Sequence, residues 1–427
     1  MAPADRAPAA ARGWRWLLAL LLALAAVVAH AHPEDEPPLF RRPGMAQVPP
    51  VGAPRIGVLT MEPGEVFFER FGHNAIVVAA PGAEPIAYNF GFFDMREEGF
   101  VGEFIAGRMR YMLVALPLAE DLESYRRSGR GVGLQWLDLE PAQARAIAEA
   151  LAVNARPENA RYTYDYYLSN CSTRVRDALD AALGGALRAQ LEGRSRGLTY
   201  RSESVRLAWP AKWMATGFDV GMGAYGDRPL SRWEEAFIPM RLRDSLREAH
   251  GTTGRPLVAE ELEVLPNRVE SPPEAMPRTE GRAFIAGAVL ALLALWGARR
   301  HRRATALFAL AFWTTCALAG ATMAFIWFGT AHVAGHANLN LLLLPPWALA
   351  LLPGGFALAR GRAPSRRFDV ALWVVAGGAA LAGFAQFLPF LAQRNMSWVL
   401  LLLPLHLALA RGFTRPAALV APAAASG

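Results

Sequence analysis

"LSNCSTRVRDALDAALGG", Leu168–Gly185, decides how the first half of this chain folds. Val175, Ala178, Leu179, Ala182 and Leu183 recur at helical spacing, and Gly184-Gly185 supplies a stop. Ser169 and Asn170 are good N-cap residues, so the spacing predicts a helix with Cys171 in its first turn. The preceding "RYTYDYY" (Arg161–Tyr167) is aromatic and alternating, hence strand-like or extended. In a first helical turn the unpaired N–H groups and the helix dipole favour an anion, which predicts a lowered thiol pKa. Three roles are open to Cys171: a small buried apolar residue, half of a disulfide, or a nucleophile.

Working outward, the 427-residue chain is 53% hydrophobic and carries a formal charge of +7. A basic chain invites a nucleic-acid reading, but the charges lie elsewhere. From Arg282 onward there are twelve Arg and one acid, Asp369, which leaves the earlier part slightly acidic. These arginines fall between long apolar runs, where they report membrane topology and not a DNA-binding face. At the N-terminus, Arg6, Arg12 and Arg15 precede "WLLALLLALAAVVA", and Ala29-His30-Ala31 fits a cleavage site. Residues 1–31 therefore read as a secretion signal, with an uncleaved anchor as the alternative.

Residues 32–250 read as a mixed α/β exported domain. "RIGVLT", "HNAIVVAA", "PIAYNF" and "GLQWLDL" are strand-like, and Pro141 opens a helical pattern. Residues 251–281, polar and rich in Pro and Glu, suit a linker. Residues 282–427 hold five apolar segments, roughly Ala283–Ala298, Thr305–Phe328, Leu341–Ala359, Val370–Phe390 and Trp398–Ala410. "RRHRR", "RGRAPSRR" and "RGFTR" follow the first, third and fifth. The positive-inside rule places those loops and the C-terminus in the cytoplasm and the exported domain outside, as the signal also does.

The second cysteine, Cys316, sits within the second apolar segment, so a bridge to Cys171 is geometrically implausible. A nucleophile needs a base. Of eight histidines, His73 alone lies inside the exported domain's expected core, at the start of a strand. If the hairpin turn "PGAEP" centres near Gly82, His73 lies opposite about Gly91, and Asn89 falls on the diagonal of the same face. An Asn there would fix the imidazole tautomer, with Asp94 in reserve. No His/Cys/Asp/Glu spacing suggests a metal, and no cofactor motif follows a strand.

"FGHNAIVV" (Phe71–Val78), "YNFGFFDM" (Tyr88–Met95) and "LAVNARPENARYTYDYYLSNCSTRVRDALD" (Leu151–Asp180) resemble the periplasmic domain of bacterial Lnb-type lipoprotein N-acyltransferases. A His strand followed later by a Cys helix also resembles circularly permuted NlpC-type, papain-like enzymes. "AHVAGHANLNLLLLPPWALAL" (Ala331–Leu351) is similar to that family's membrane signature. The resemblance implies an α+β, circularly permuted papain-like (NlpC-type) exported domain, then an all-α domain of five transmembrane helices in the inner membrane. It implies Cys171 as nucleophile, His73 as base, and an acyl chain moved from a membrane phospholipid to a diacylated lipoprotein, with no cofactor and no nucleic acid. Backbone N–H groups of Cys171 and Ser172 would hold the oxyanion. His332, His336, Asn338 and Asn340 could roof the site or hold a headgroup, and Arg174 and Arg176 could meet a phosphate. Against this stand a thiol hydrolase on the same dyad, for which five spans have little use, and a non-enzymatic membrane assembly or sensor protein.

Overall fold

The computed structural model describes residues 52–391 and 393–414; the expected signal at 1–31 lies outside them. The exported domain runs in the order β1 (Arg55–Met61), β2 (His73–Ala79), β3 (Ile86–Phe92), α1 (Phe100–Ala106), β4 (Arg110–Pro117), α2 (Leu118–Ser128) and β5 (Val132–Leu137). It continues through α3 (Pro141–Asn154), β6 (Arg161–Thr163), α4 (Cys171–Ala182), α5 (Ala186–Leu191), α6 (Tyr200–Ala208), α7 (Lys212–Gly221), α8 (Arg232–Glu235), α9 (Pro239–Glu248) and β7 (Val258–Leu265). The strands form one seven-stranded sheet in the order β6-β4-β3-β2-β1-β5-β7, with every neighbour antiparallel.

Helices cover both faces of this sheet, which is why β1 and β2 are near-continuous apolar runs and do not alternate. On one face Ile56, Val58, Ile76 and Tyr88 pack against Ile147 and Leu151 of α3 and Val175 and Leu179 of α4. On the other, Leu59, Met61, Ala75 and Ala87 meet Leu118, Leu122 and Tyr125 of α2. Val175 and Leu179 are fully buried, and each such side chain stabilises by about 1.5–3 kcal/mol. That burial, more than local propensity, holds α4 on the sheet.

The sheet reaches beyond the expected domain boundary. β7 lies inside the segment 251–281 that composition marks as linker, and it pairs with β5 as an edge strand. "VAEELEVL" carries Glu260, Glu261 and Glu263, the charge that edge strands use against stray pairing. Arg55 and Arg247 answer Glu260 and Glu261. The same glutamates made the stretch look like linker.

Five segments are long and apolar enough to span a membrane. They are α10 (Glu280–Arg300), α11 (Arg302–Gly329), the stretch Val333–Ala359 ending in α12 (Leu352–Ala359), α13 (Arg366–Ala385) and α14 (Met396–Phe413). The third is broken: 3-10 turns at Val333–Gly335, Leu339–Leu342 and Pro346–Leu351 precede α12, because Pro345 and Pro346 cannot donate to a helical ladder.

That irregular stretch is where the two domains join. Asn338 Nδ2 donates to the carbonyls of Val220 and Gly221 at 2.8 and 3.0 Å, and Asn340 Nδ2 to Val220 at 2.9 Å. The last carbonyls of α7 lack intrahelical partners, and the two asparagines supply them. Gln393 bridges Met222 O and Asn338 Oδ1, and Asn395 donates to Asn340 Oδ1. Gly223 N–H donates to Ala334 O at 2.8 Å, and a Cβ on Gly223 would lie 1.8 Å from the His336 carbonyl oxygen. Only glycine permits that approach.

Candidate active site

Cys171 is the first residue of α4. Asn170 caps the helix: its Oδ1 accepts from Thr173 N at 2.9 Å, and Thr173 Oγ1 accepts from Asn170 N at 2.8 Å. Asn170 Nδ2 also donates to Phe237 O, and Ser172 Oγ donates to Ala236 O at 2.6 Å, so the Ala236–Phe237 turn clamps the helix start. Arg174 N is taken by Asn170 O. The N–H groups of Cys171 and Ser172 are left over, and both point at the Cys171 sulfur, as does the N–H of Asn74.

These donors do not produce the expected acidic thiol. Cys171 is buried, and burial pushes its thiol above the ordinary value; the three N–H groups and the charge of Arg130 offset only part of this. The helix-start argument names a real effect of the right sign, but desolvation of the thiolate is larger.

His73 opens β2, and its Nε2 lies 3.0 Å from Asn89 Oδ1. The register Ala75↔Asn89 puts Asn89 diagonally from His73, as the hairpin arithmetic predicts. Asn89 Nδ2 donates to Asp121 Oδ2 at 3.1 Å, which orients the amide so that Oδ1 receives the Nε2 proton. Nδ1 is then the basic nitrogen. Burial holds the imidazole down at about 4, partly opposed by Asn89 and helped by the charge of Arg130. Asp94, the reserve third member, instead accepts from Arg96 N in its own turn.

Side-chain alternation puts His73, paired with Met61, and Asn89 on the sheet face that α2 covers, whereas α4 covers the other. The two candidate groups thus lie on opposite faces of the sheet, while the N–H of Asn74, the residue after His73, reaches the sulfur. Among the described residues no hydrogen bond joins the imidazole to the sulfur; such bonds often tighten only when substrate is bound. Gly91, at φ 91°, completes the corner: a Cβ there would sit 3.5 Å from Cys171 Cβ and 3.6 Å from the Tyr164 ring. A glycine interrupting a strand pattern is the sequence signal for such an approach.

Asp121 and Arg130 are members that sequence reasoning did not find. Asp121 lies on α2 and is buried, which raises its carboxyl to about 6 against the pull of Asn89 and Arg130. Its signal was an acid on the apolar stripe Leu118–Leu122–Tyr125. Arg130 is buried beside it, with Nε on Glu62 O and its guanidinium over the Tyr125 ring.

The six expected substrate-binding residues separate. Arg174 stacks on Tyr162 at 4.3 Å, with Nε on Ser169 Oγ. Tyr162 in turn borders Gly91, as Cys171 does. Arg176 is committed to Asp177 and the Trp233 carbonyl, which leaves it no phosphate to meet. His332 donates from Nε2 to Phe104 O and stacks on Tyr166, while His336 donates to Thr330 O. Asn338 and Asn340 cap α7 and are not directed at Cys171.

A buried thiol whose pKa is raised has a measurable signature. Alkylation of Cys171 by iodoacetamide, followed by mass spectrometry in a Cys316→Ala background, is expected to climb through the alkaline range. A plateau between about pH 5 and 8 would instead reveal a preformed thiolate–imidazolium pair. Stability carries a second one. His73 has a depressed folded pKa, so its contribution is full above 6.5 and lost as pH falls through about 4. Asp121 acts oppositely, opposing folding as pH rises through about 6.

Fold and site together define a thiol-bearing α+β domain carried on a multi-pass membrane protein. Residues 53–206 match the model of the Lnb N-terminal periplasmic domain. The match covers the sheet through β6 together with α4 and most of α6. Neither a curated protein nor a solved structure is matched by the chain.

Proposed function

We propose that the protein is a lipoprotein N-acyltransferase of the bacterial inner membrane. Cys171 attacks the ester carbonyl of a membrane phospholipid, and the sulfur proton passes by way of His73 to the departing glycerol oxygen. A lysophospholipid leaves and the acyl chain stays on sulfur as a thioester. The α-amino group of a diacylglyceryl-cysteine lipoprotein N-terminus then attacks the thioester. An amide forms, the amine loses a proton to the imidazole, and the proton returns to the sulfur. In each step the N–H groups of Cys171 and Ser172 are the donors nearest the developing oxyanion. His73 is oriented by Asn89, and Asn89 by Asp121.

The observation that carries this reading is the burial of the Cys171 thiol in an Lnb periplasmic domain clamped to a five-span membrane domain. A thioester kept from water is preserved for the amine, whereas a hydrolase must admit water to the same carbonyl. The test is expression of the full chain in cells depleted of their own lipoprotein N-acyltransferase. Mass spectra of lipoprotein N-termini should gain one N-linked acyl chain. Free fatty acid released without N-acylation would instead identify a hydrolase.

A further inference from the structure

Large apolar side chains exposed on the exported domain concentrate between Val66 and Ile105. Phe67 and Phe68 sit on one turn, Met95 on the next, and Val101 and Ile105 on α1, at 63% and 49% exposure. These segments touch one another: Phe68 packs on Phe93 with ring centroids at 5.5 Å, and Phe93 stacks on Phe100 at 5.5 Å. Behind this rim the rings continue inward. Phe93 lies 4.8 Å from Tyr111, Tyr111 lies 4.2 Å from Tyr164, and Tyr164 borders Gly91 beside Cys171.

The height of the rim follows from one hydrogen bond. Ala331 N–H donates to Ala106 O, the last residue of α1, at 2.8 Å. The second span ends at Gly329, two residues earlier, and two residues of extended chain cover at most about 7 Å. The polar layer flanking the hydrocarbon core is itself roughly 5–7 Å deep on each side. Trp327 and Phe328 stack at 4.8 Å at that end of the span, as aromatic residues do at a membrane surface. The rim therefore stands at bilayer height. The ion pair of Glu103 with Arg108 at 3.1 Å gives α1 the polar side that an interfacial helix needs.

We propose that this rim is a bilayer-inserted surface, with α1 and the Val66–Phe68 turn seated in the periplasm-facing leaflet, and that the ring row behind it holds the donor phospholipid's acyl chain. This second part rests on the acyltransferase reading. The ester end lies at Cys171, the chain trails along Tyr164, Tyr111 and Phe93 into the bilayer, and the phosphate falls toward Arg174.

Two measurements on the full chain, reconstituted in phosphatidylethanolamine–phosphatidylglycerol vesicles, test it. In a Cys171→Ala, Cys316→Ala background, Ile105→Cys is labelled with an environment-sensitive nitrobenzoxadiazole probe, and Val153→Cys on α3 serves as the exposed reference. Position 105 should fluoresce at shorter wavelength, be quenched by shallow doxyl-labelled lipid, and resist aqueous iodide. Iodide quenching equal to that at position 153 would overturn the bilayer surface. Separately, V101D/I105D should lower the preference for vesicle phospholipid over a water-soluble short-chain p-nitrophenyl ester by about ten-fold or more, while Val153→Asp leaves it unchanged. Equal loss toward both donors overturns the acyl path. Lipid quenching at position 105 in a protein whose wild type transfers nothing from phospholipid would uphold the surface and reject the acyltransferase reading.

Discussion

Cys171→Ala is expected to abolish lipoprotein N-acylation, with a rate loss of about 10^4 or more. The reaction as proposed has no route that avoids the sulfur: both half-reactions pass through a bond to it, and the Asn74, Ser172 and Cys171 N–H groups are directed at it. Removing one sulfur atom from a buried site costs about 1 kcal/mol, too little to unfold the domain. The loss should therefore appear with the thermal transition nearly unmoved. The check is incubation of wild type and variant with radiolabelled phospholipid, followed by hydroxylamine, which cleaves thioesters. Wild type should carry label that hydroxylamine releases, and the alanine variant none. A variant that still N-acylates lipoproteins at the wild-type rate would remove Cys171 from the mechanism.

The largest expected effect on stability lies at Arg201. Its side chain is fully buried, with Nε and one terminal nitrogen on the carboxylate of Asp227 at 2.8 and 2.9 Å. It also meets the Asp219 carboxylate at 3.6 Å and the carbonyls of Asp219, Met222 and Gly223. Asp219 in turn accepts from Trp398 Nε1 at the start of the fifth span, and Asp227 from Arg394 N. One guanidinium thus supports the segment on which the membrane domain rests. Arg201→Met strands the buried carboxylate of Asp227 and removes the partner of the half-buried Asp219, and breaking a buried pair costs about 3–5 kcal/mol. In detergent the transition should fall by roughly 10 °C. Arg201→Lys keeps the charge but not the fork, and should fall between. Tryptophan fluorescence and limited proteolysis would follow the change. An unshifted transition in the methionine variant would mean that solvent reaches the acids.

How much of this was legible in the sequence depended on whether the signal was local. The helix at Cys171 could be read from its cap and its apolar spacing, and Asn89 could be placed beside His73 because a short hairpin turn fixes the register. The spans followed from apolar length. Asp121 was not legible, because it comes to Asn89 from a helix 32 residues away through packing that no short-range pattern encodes. The thiol pKa was misjudged because the helix start is visible in sequence and the depth of burial is not. β7 was hidden by its glutamates, and the break in the third span lay in Pro345-Pro346, which apolar length alone passes over.

The edge strand has a practical consequence for anyone preparing the exported domain by itself. A polypeptide ended at His250, where composition suggests the domain stops, would lack Val258–Leu265 and leave the edge of β5 that faces away from β1 unpaired. Val132, Leu134 and Trp136 would then border an open ladder, the kind of template on which chains stack into aggregates. Extending the polypeptide to Ser271 restores the strand and also keeps Asn267, whose Oδ1 accepts from Gly131 N at 3.1 Å. The useful soluble fragment therefore ends just short of the membrane, about twenty residues later than the change in composition indicates.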